Sequence, residues 1–439
     1  MTSPMDPLET QLSTKSTLEV APPGGQRAGR LESGRKPGFI QRAVENRLER
    51  IQFGRLTLVD GGRERHFGPG GANEPHARVE VRDPSFYPQV ALRGSVGSGE
   101  AYADGAWDSE DLTSVVRLFC RNREALDGLE GGLAWLARPL FKAWSWTRSN
   151  HRAGARRNIA AHYDLGNRFF ELMLDQTLMY SSGLYASPST SLHEASLAKL
   201  DRVAKKLGLC ERDHLLEIGS GWGGLAIHMA ANYGCRVTTT TISKEQHSLA
   251  LERVRAAGLG ERVTVLLQDF RDLTGRYDKL VSIEMVEAIG WRQYPAYFRA
   301  LSRLLRPEGL ALIQAITIQD QHYELARRSV DFIQRYIFPG STIPSVTALC
   351  QAMAKHSDLR LAQLEDLTPH YAHTLRDWRE NVARHQGQIA RMGYDERFLR
   401  AWNFYLCYCE GGFEERVIHD VQMLFAKPGD RSAPLLPAL

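Results

Sequence analysis

The sequence predicts an α/β fold: a doubly wound, mostly parallel sheet with a smaller amino-terminal α+β domain. Three observations predict it. Short apolar runs with strand character recur in the second half of the chain, helical stretches separate them, and a glycine-rich segment follows the first run. Strands and helices that alternate in this way are typical of parallel sheets covered by helices. In such sheets a ligand lies beyond the carboxyl ends of the strands.

The alternation extends from residue 214 to residue 317. The strand-like runs are HLLEIG, CRVTTTTI, RVTVLLQD, DKLVSIE and LALIQAIT, and the helical stretches between them include WGGLAIHMAANY, KEQHSLALERVRAAG and YPAYFRALSRLL. We therefore expect residues 159–430 to form the main domain, followed by a short tail at 431–439.

The composition is ordinary for a globular protein of two to three domains: 439 residues, 43% hydrophobic and 24% charged. The six cysteines are scattered and lack the spacing of a zinc or redox motif, so we expect free thiols, a cytoplasmic location and no metal. No run approaches the roughly 18 apolar residues of a membrane span, and no secretion signal is evident. The net charge of +4 is small, so positive charge for an anionic partner must be local.

The amino-terminal part contains two further predicted segments. Residues 1–36 predict a disordered tail because Pro, Gly, Ser and charged residues dominate them. Residues 37–126 mix two periods: GFIQRAVENRLERI and SVVRLFCR have helical spacing, whereas ARVEVRD and PQVALRG alternate like strands. This mixture predicts the small α+β domain.

Residues 127–158 predict a basic amphipathic linker helix. Its apolar side comprises Leu133, Leu136, Leu140, Phe141 and Trp144, and its positive charges are Arg138, Lys142, Arg148, Arg152, Arg156 and Arg157. One interpretation is a helix that lies on an anionic membrane surface. The other is a linker helix packed on the next domain, with a solvated basic face.

The glycine-rich segment LLEIGSGWGG ends the first strand-like run. Gly219 and Gly221 let a ligand approach the backbone because glycine has no Cβ. A dinucleotide site would add an acid about 20 residues later, and a phosphate loop would add a lysine, but the sequence has neither. Glu217 before the glycines and Asp269 after the third run instead fit a methyltransferase that holds S-adenosylmethionine (AdoMet). A tight strand-to-helix turn would use the same glycines.

Longer motifs resemble one family. They are HYDLGNRFFELMLDQTLMYSSGLY, the glycine-rich segment, TISKEQ, LLQDFRDL, VSIEMVEAIG, FIQRYIFPGSTIPS, PHYAHTLRDW and YLCYCEGGF. On these motifs the chain resembles the cyclopropane-fatty-acyl-phospholipid synthases, a family that includes the mycolic acid cyclopropane synthases and has the class I AdoMet-dependent methyltransferase fold. The segment GEAYADGAWD resembles part of the extra domain of the phospholipid-acting members.

The resemblance implies AdoMet as the methyl donor. The positions that match the family's AdoMet-binding residues are Tyr180, Ser181, Gly219, Gly221, Thr241, Gln246, Asp269 and Phe270. It also implies a dimer, and an unsaturated phospholipid as the substrate, so we expect an enzyme peripherally associated with the inner face of the membrane.

The resemblance implies the reaction as well. Methyl transfer to a cis double bond leaves a carbocation, which aromatic side chains stabilise, and a base then removes a proton from the new methyl group to close a cyclopropane ring. The family uses a bound bicarbonate ion as that base. The matching ligand positions are Ser182, Glu287, Gln314, Ile316 and Tyr371.

Two of these positions depart from the family pattern. Ser182 stands in YSS where the family has YSC, and Gln314 stands in QAI where the family usually has HTI. Both side chains still donate hydrogen bonds to an anion, but a thiol and a titratable imidazole are lost. We expect ring closure, with a methyl- or methylene-branched chain as the alternative product.

Other interpretations remain open from the sequence. The basic stretch near residues 148–157 suggests a nucleic-acid methyltransferase, but no second basic strip interleaved with aromatics accompanies it, so we expect no nucleic acid partner. The substitutions at Ser182 and Gln314 also leave room for a lipid-binding module without catalysis. Structural roles are a helix cap for Glu287 and a half-buried aromatic for Tyr371.

Overall fold

The computed structural model describes residues 38–126 and 166–433. The predicted tail at 1–36 and linker helix at 127–158 lie outside these residues, as do the last six residues of the chain. The predicted domain boundaries therefore stay predictions. All described residues belong to one compact unit. No helix within them is long and apolar enough to cross a bilayer.

The amino-terminal part folds around a four-stranded sheet of order β2-β1-β3-β4. Its elements are α1 (Phe39–Leu48), β1 (Arg55–Asp60), β2 (Arg63–Phe67), β3 (His76–Val81), α2 (Phe86–Ala103), β4 (Trp107–Asp108) and α3 (Leu112–Arg121). Strand β1 is antiparallel to β2 and parallel to β3. Alternate residues of β3 are buried, as expected for a sheet with one face on a core.

One strand prediction in this part is wrong. The segment PQVALRG lies inside the helix α2, which is kinked at Gly94, where φ is 52° and ψ is −131°. Val90 and Ala91 are adjacent in sequence and both contact the core, which a strand with alternating faces would not allow. A run of seven residues is too short for its apolar pattern to distinguish the strand period from the helix period. Tertiary packing therefore decides which structure forms. Strands β1 and β2 were not predicted, although Gly61 and Gly62 mark their turn.

The main part contains a seven-stranded sheet of order β10-β11-β9-β8-β5-β6-β7. Its strands are β5 (His214–Ile218), β6 (Arg236–Thr241), β7 (Val263–Leu267), β8 (Tyr277–Ile283), β9 (Leu305–Ile318), β10 (Arg360–Asp366) and β11 (Ile418–Ala426). Strands β5 to β9 pair in parallel, whereas β11 is antiparallel to both β9 and β10. The predicted doubly wound, mostly parallel sheet is confirmed, and β5 to β9 correspond to the five predicted runs.

Helices cover this sheet. They are α4 (Asn167–Met173), α5 (Leu192–Leu207), α6 (Gly224–Tyr233), α7 (Lys244–Ala256), α8 (Val286–Ile289), α9 (Tyr294–Leu304), α10 (Asp320–Ala326), α11 (Val346–His356), α12 (Thr368–Arg384), α13 (Gln386–Arg391) and α14 (Glu396–Glu414). Helix α14 contacts α12 in the main part and α2 and α3 in the amino-terminal part. One core cluster therefore extends across both parts of the chain.

The strand order changes direction between β5 and β8. From β5 the chain proceeds outward to β6 and β7, then returns to β8 on the other side of β5 and continues to β9. At such a switch point the loops after two neighbouring strands diverge and leave a crevice at their carboxyl ends. The loop after β5 carries the glycines, and the short helix α8, which follows β8, carries Glu287, so both sets of predicted site residues adjoin this crevice.

Candidate active site

The glycine loop after β5 exposes backbone at the switch point. Gly219 has φ 102° and Gly221 has φ 48°, a left-handed region that favours glycine. A Cβ added at Gly221 would meet no atom within 4 Å, whereas one at Gly219 would lie 3.2 Å from Met285. The N–H groups of Gly219 and Ser220 donate to the carbonyl of Thr240 and hold the loop to β6. Open space beside Gly221 is consistent with a ligand that approaches the backbone there.

The neighbouring strand ends supply the other predicted cofactor residues. After β6, the Thr241 hydroxyl donates to Gln246 Oε1 at 2.9 Å, and both side chains are buried. After β7, the Asp269 carboxylate accepts from the Arg271 guanidinium at 2.6 and 2.8 Å, and Phe270 is buried beside it. Because β5, β6 and β7 are adjacent in the sheet, these groups lie along one edge.

Tyr180 and Ser181 reach the site from the segment between α4 and α5. The Tyr180 hydroxyl lies 2.9 Å from the Tyr405 hydroxyl, and its ring centroid is 5.1 Å from that of Trp378. Further aromatic rings, those of Phe170 and Phe338, lie within 5.4 and 6.2 Å of the Tyr180 ring. This aromatic group has the π faces that stabilise a nearby cation.

These residues fit AdoMet. The glycine loop leaves room at the backbone, the end of β6 presents neutral polar groups, and the end of β7 presents an acid beside an aromatic ring. Thr241 and Gln246 bond to each other, and both are neutral, so neither opposes a positively charged sulfonium ligand. The predicted cofactor residues are thus brought together at one crevice.

Glu287 belongs to a second group of residues, on the other side of the switch point. Its Oε1 accepts from the Ile316 N–H at 2.6 Å, so these two predicted residues are in contact. The side chain is buried, and in the described part of the chain Oε2 has no hydrogen-bond partner. Burial, together with the negative charge of Glu284, raises the pKa of Glu287 to about 8.

The other three predicted ligands of bicarbonate converge on Glu284, which the sequence motifs did not single out. The Ser182 N–H donates to Glu284 Oε1 at 2.9 Å, and the Gln314 amide donates to the same oxygen at 2.8 Å. The Tyr371 hydroxyl donates to Oε2 at 2.5 Å. The Ser182 hydroxyl instead donates to the Gly183 carbonyl, so Ser182 serves this cluster through its backbone.

Two more buried charged groups were not predicted. Asp420 on β11 accepts from the Gln314 amide at 2.9 Å, while its Oδ1 has no partner among the described residues. Lys199 on α5 is fully buried and donates to the Ser181 hydroxyl at 2.6 Å. Burial raises the pKa of Asp420 well above its usual range and lowers that of Lys199 to about 8. For Asp420 the sequence signal was an acid beside the apolar run of β11, whereas Lys199 lies in a helix rich in charged residues and gave no signal.

Bicarbonate does not fit the donors that the resemblance assigned to it. The Ser182 N–H, the Gln314 amide and the Tyr371 hydroxyl already bind the Glu284 carboxylate. The Ile316 N–H binds Glu287. A further anion in contact with these groups would displace a carboxylate of the chain and lie beside the others, where like charges repel each other strongly. We therefore derive no step through bicarbonate.

Comparisons with known proteins agree with the fold and identify the family. The family model for mycolic acid cyclopropane synthetase matches residues 150–423. The chain is 40% identical to tuberculostearic acid methyltransferase of Mycobacterium tuberculosis, over 82% of this chain and 86% of that protein. It is 36% identical to cyclopropane-fatty-acyl-phospholipid synthase of Escherichia coli, over 80% of this chain and 88% of that protein.

A solved structure is also similar. The mycolic acid cyclopropane synthase CmaA1, in complex with SAH and CTAB, superposes with a TM-score of 0.58 at 30% identity. The match covers 62% of this chain and 98% of that chain. The comparisons therefore include proteins named for cyclopropane synthesis and one named for methylation.

Proposed function

Because the chain belongs to the mycolic acid cyclopropane synthetase family of AdoMet-dependent methyltransferases, we propose that it methylates the cis double bond of an unsaturated fatty-acyl chain of a phospholipid. AdoMet is the methyl donor in this proposal. The observation that carries it is the arrangement at the switch point, where the open glycine loop faces a cluster of buried carboxylates and aromatic rings. The similarity to the two relatives extends over at least 80% of this chain, which supports a methyl-transfer function for the chain as a whole.

Side chains and backbone of this chain would orient the methyl donor, stabilise the cation and accept the proton. When bound, AdoMet supplies an electrophilic methyl group, which must be held about 3–3.5 Å from an alkene carbon because the alkene is a weak nucleophile. The glycine loop and Tyr180 orient the donor, and the rings around Tyr180 stabilise the positive charge that develops on the lipid. The carboxylate cluster then accepts a proton, and a site closed to water prevents capture of the cation as an alcohol.

As the product, we favour a methylene-branched chain, because a saturated methyl branch would need a reductant in addition to AdoMet. The imidazole of the family pattern is replaced by Gln314, which joins Glu284 to Asp420. The relative with 40% identity is named for tuberculostearic acid methylation. A cyclopropane ring is the second candidate, because Glu287 and Tyr371 retain the family pattern and the relative with 36% identity is named a cyclopropane synthase.

Mass spectrometry of the product tests this function. The purified protein is incubated with AdoMet and phospholipid vesicles with cis-unsaturated chains, and the acyl chains are then analysed. A methylene-branched product gains one carbon and two hydrogens and reacts with hydrogen over a catalyst as an alkene. A cyclopropane has the same mass but lacks vinylic protons in its NMR spectrum. No AdoMet-dependent gain of mass on any unsaturated phospholipid would refute the function.

The proposal includes a place of action. The enzyme acts as a homodimer in the cytoplasm, at the inner face of the membrane, and the basic residues in 127–158 bind anionic lipid. Neutralising Arg148, Arg152, Arg156 and Arg157 is expected to weaken vesicle binding by about 1 kcal/mol per charge, and added salt is expected to have the same effect. Vesicle affinity that responds to neither change would favour the linker interpretation. Sedimentation of the full chain tests the dimer.

A further inference from the structure

Glu284 is held as a carboxylate by three donors from distant parts of the chain. Oε1 accepts from the Ser182 N–H and the Gln314 amide, and Oε2 accepts from the Tyr371 hydroxyl. An ionised carboxyl group has about four acceptor positions. One position therefore remains on Oε2, so the group is anchored and can still accept a proton.

The backbone of Glu284 is strained. Its φ is 47°, and only Leu178 and Arg416 share a positive φ among the non-glycine residues that the structure describes. A left-handed conformation costs roughly 1–2 kcal/mol in an L-residue with a Cβ, and strain of this kind concentrates at functional sites. Glycine would remove that cost, so a need for the carboxylate accounts for glutamate at this position.

Glu284 also lies between the two parts of the site. The next residue, Met285, is the closest neighbour of a Cβ built on Gly219, so Glu284 adjoins the glycine loop. Its partner Ser182 directly follows Tyr180 and Ser181. Its partner Tyr371 stacks on Phe413 with centroids 4.4 Å apart. The carboxylate thus stands where the cofactor residues and the aromatic rings meet.

We propose that Glu284 is itself the base of the reaction, in the place where the family resemblance implies bicarbonate. The inference rests on the proposed function. After methyl transfer, Glu284 Oε2 takes a proton from the new methyl group and becomes a neutral acid. The C–H bonding pair stays on the carbon. It forms the double bond of a methylene branch once a hydride has shifted to the cationic carbon, or closes the ring without that shift. The acid then returns the proton to water.

The neighbouring acids fit this assignment. Burial raises the pKa of Glu284 and of Glu287, and the charge of Glu284 raises the pKa of Glu287 further. Glu284 receives three hydrogen bonds and Glu287 receives one from the Ile316 N–H, so the shared negative charge is better stabilised on Glu284. Glu287 then carries a proton, and Glu284 is the ionised member of the pair.

The test compares two substitutions at one position. Glu284→Gly removes the carboxylate, leaves a space lined by its three donors, and suits the left-handed backbone. Glu284→Gln removes the base but fills the space. Arg416→Gly, also at a left-handed residue, controls for the backbone change outside the site. Calorimetry with AdoMet and thermal unfolding establish that each variant is folded and binds the donor.

Activity is measured in carbonate-free buffer and with added bicarbonate. We expect the wild type to be indifferent to bicarbonate and both Glu284 variants to lose at least about 10²-fold in turnover. Bicarbonate should partly restore Glu284→Gly but not Glu284→Gln. As a measurement independent of activity, ¹³C NMR should detect labelled bicarbonate bound to Glu284→Gly and not to the wild type.

Three results would overturn the inference. They are a wild-type rate that requires bicarbonate, a Glu284→Gly enzyme with full activity in its absence, and a Glu284→Gly enzyme that is not activated by bicarbonate. Each of them presupposes a wild-type enzyme that methylates lipid. A wild type without such activity would instead refute the proposed function, so the two failures are distinguishable.

Discussion

The two sides of the switch point contain different chemical groups. The cofactor side, at the ends of β5, β6 and β7, consists of bare glycine backbone and polar groups that already have partners. The base side, at the ends of β8, β9 and β11, gathers Glu284, Glu287 and Asp420 and, within the described residues, leaves two of their oxygens without partners. The cofactor side forms a space for a ligand at little cost in free energy. The base side contains buried charges, and their burial costs free energy. Changes on the first should therefore remove binding, and changes on the second should remove chemistry.

The largest expected effect is on the cofactor side. Gly221→Val should abolish AdoMet binding, because the new side chain would enter the open space beside the backbone. The left-handed φ of 48° adds a penalty of roughly 1–2 kcal/mol for any residue with a Cβ. Gly208→Val is the matched control, since Gly208 has φ 58° and equally open surroundings at the end of α5. Calorimetry should show lost AdoMet affinity for Gly221→Val alone. Equal affinity in both folded variants would mean that the donor binds elsewhere.

On the base side, Glu287→Gln should leave AdoMet affinity nearly intact and lower turnover by less than the roughly 10²-fold expected for Glu284→Gln. The amide keeps an oxygen for the Ile316 N–H and, like the protonated carboxyl of Glu287, places no charge beside Glu284. Glu365→Gln is the control, because Glu365 on β10 pairs with Arg202 and Lys206 outside the site. Steady-state kinetics and calorimetry together separate the two sides. A loss of turnover in Glu287→Gln as large as that in Glu284→Gln would show instead that Glu287 takes part in the proton transfer.

The base side should also make stability depend on pH. The pKa of Glu287 in the folded protein is about 8, raised from 4.5 by burial and by the charge of Glu284. The stability contributed by its neutral form is therefore fully present below about pH 4.5 and is lost as pH rises towards 8, by about 5 kcal/mol as an upper limit. Burial also raises the pKa of Glu217 to about 8 and lowers that of Lys199 to about 8, so both change charge in or near this range, and a comparison with a Glu287 variant is needed to isolate the effect.

Denaturant unfolding of wild type and Glu287→Gln at several pH values between 4.5 and 8 measures this contribution. The difference between the two free energies of unfolding should change with pH in favour of the variant as pH rises. A difference that is constant over this range would contradict the raised pKa.

The smallest expected effects come from restoring the family pattern. Gln314→His should cost about 1–3 kcal/mol of stability, because a neutral imidazole has one N–H and cannot donate to both Glu284 and Asp420. Ser182→Cys should cost less than about 1 kcal/mol, because the hydrogen bond to Glu284 comes from the backbone. Neither change should alter the lipid product if Glu284 is the base. A switch of product in the Gln314→His enzyme, detected by mass spectrometry and NMR, would assign the choice of product to Gln314.

Sequence patterns determined the sheet and the cofactor side because both follow from local order along the chain. Each of β5 to β9 is a short apolar run followed by a helix, and in a parallel sheet the residues after each run share one edge. Gly219, Thr241 and Asp269 could be assigned to one crevice on that basis. The strands β10 and β11, on one side of the sheet, were not predicted, and without β11 the position of Asp420 beside Gln314 could not be foreseen.

Only the tertiary structure decided what the base side contains. Glu284 and Glu287 stand in the same motif, and nothing in their order along the chain distinguishes a base from its neighbour. The difference comes from partners that lie 102, 30 and 87 residues away from Glu284, in Ser182, Gln314 and Tyr371. Periodicity indicates which face of an element a side chain occupies, but not which distant group meets it there. The protonation state of a buried carboxyl depends on those distant groups, and so folding alone determines it.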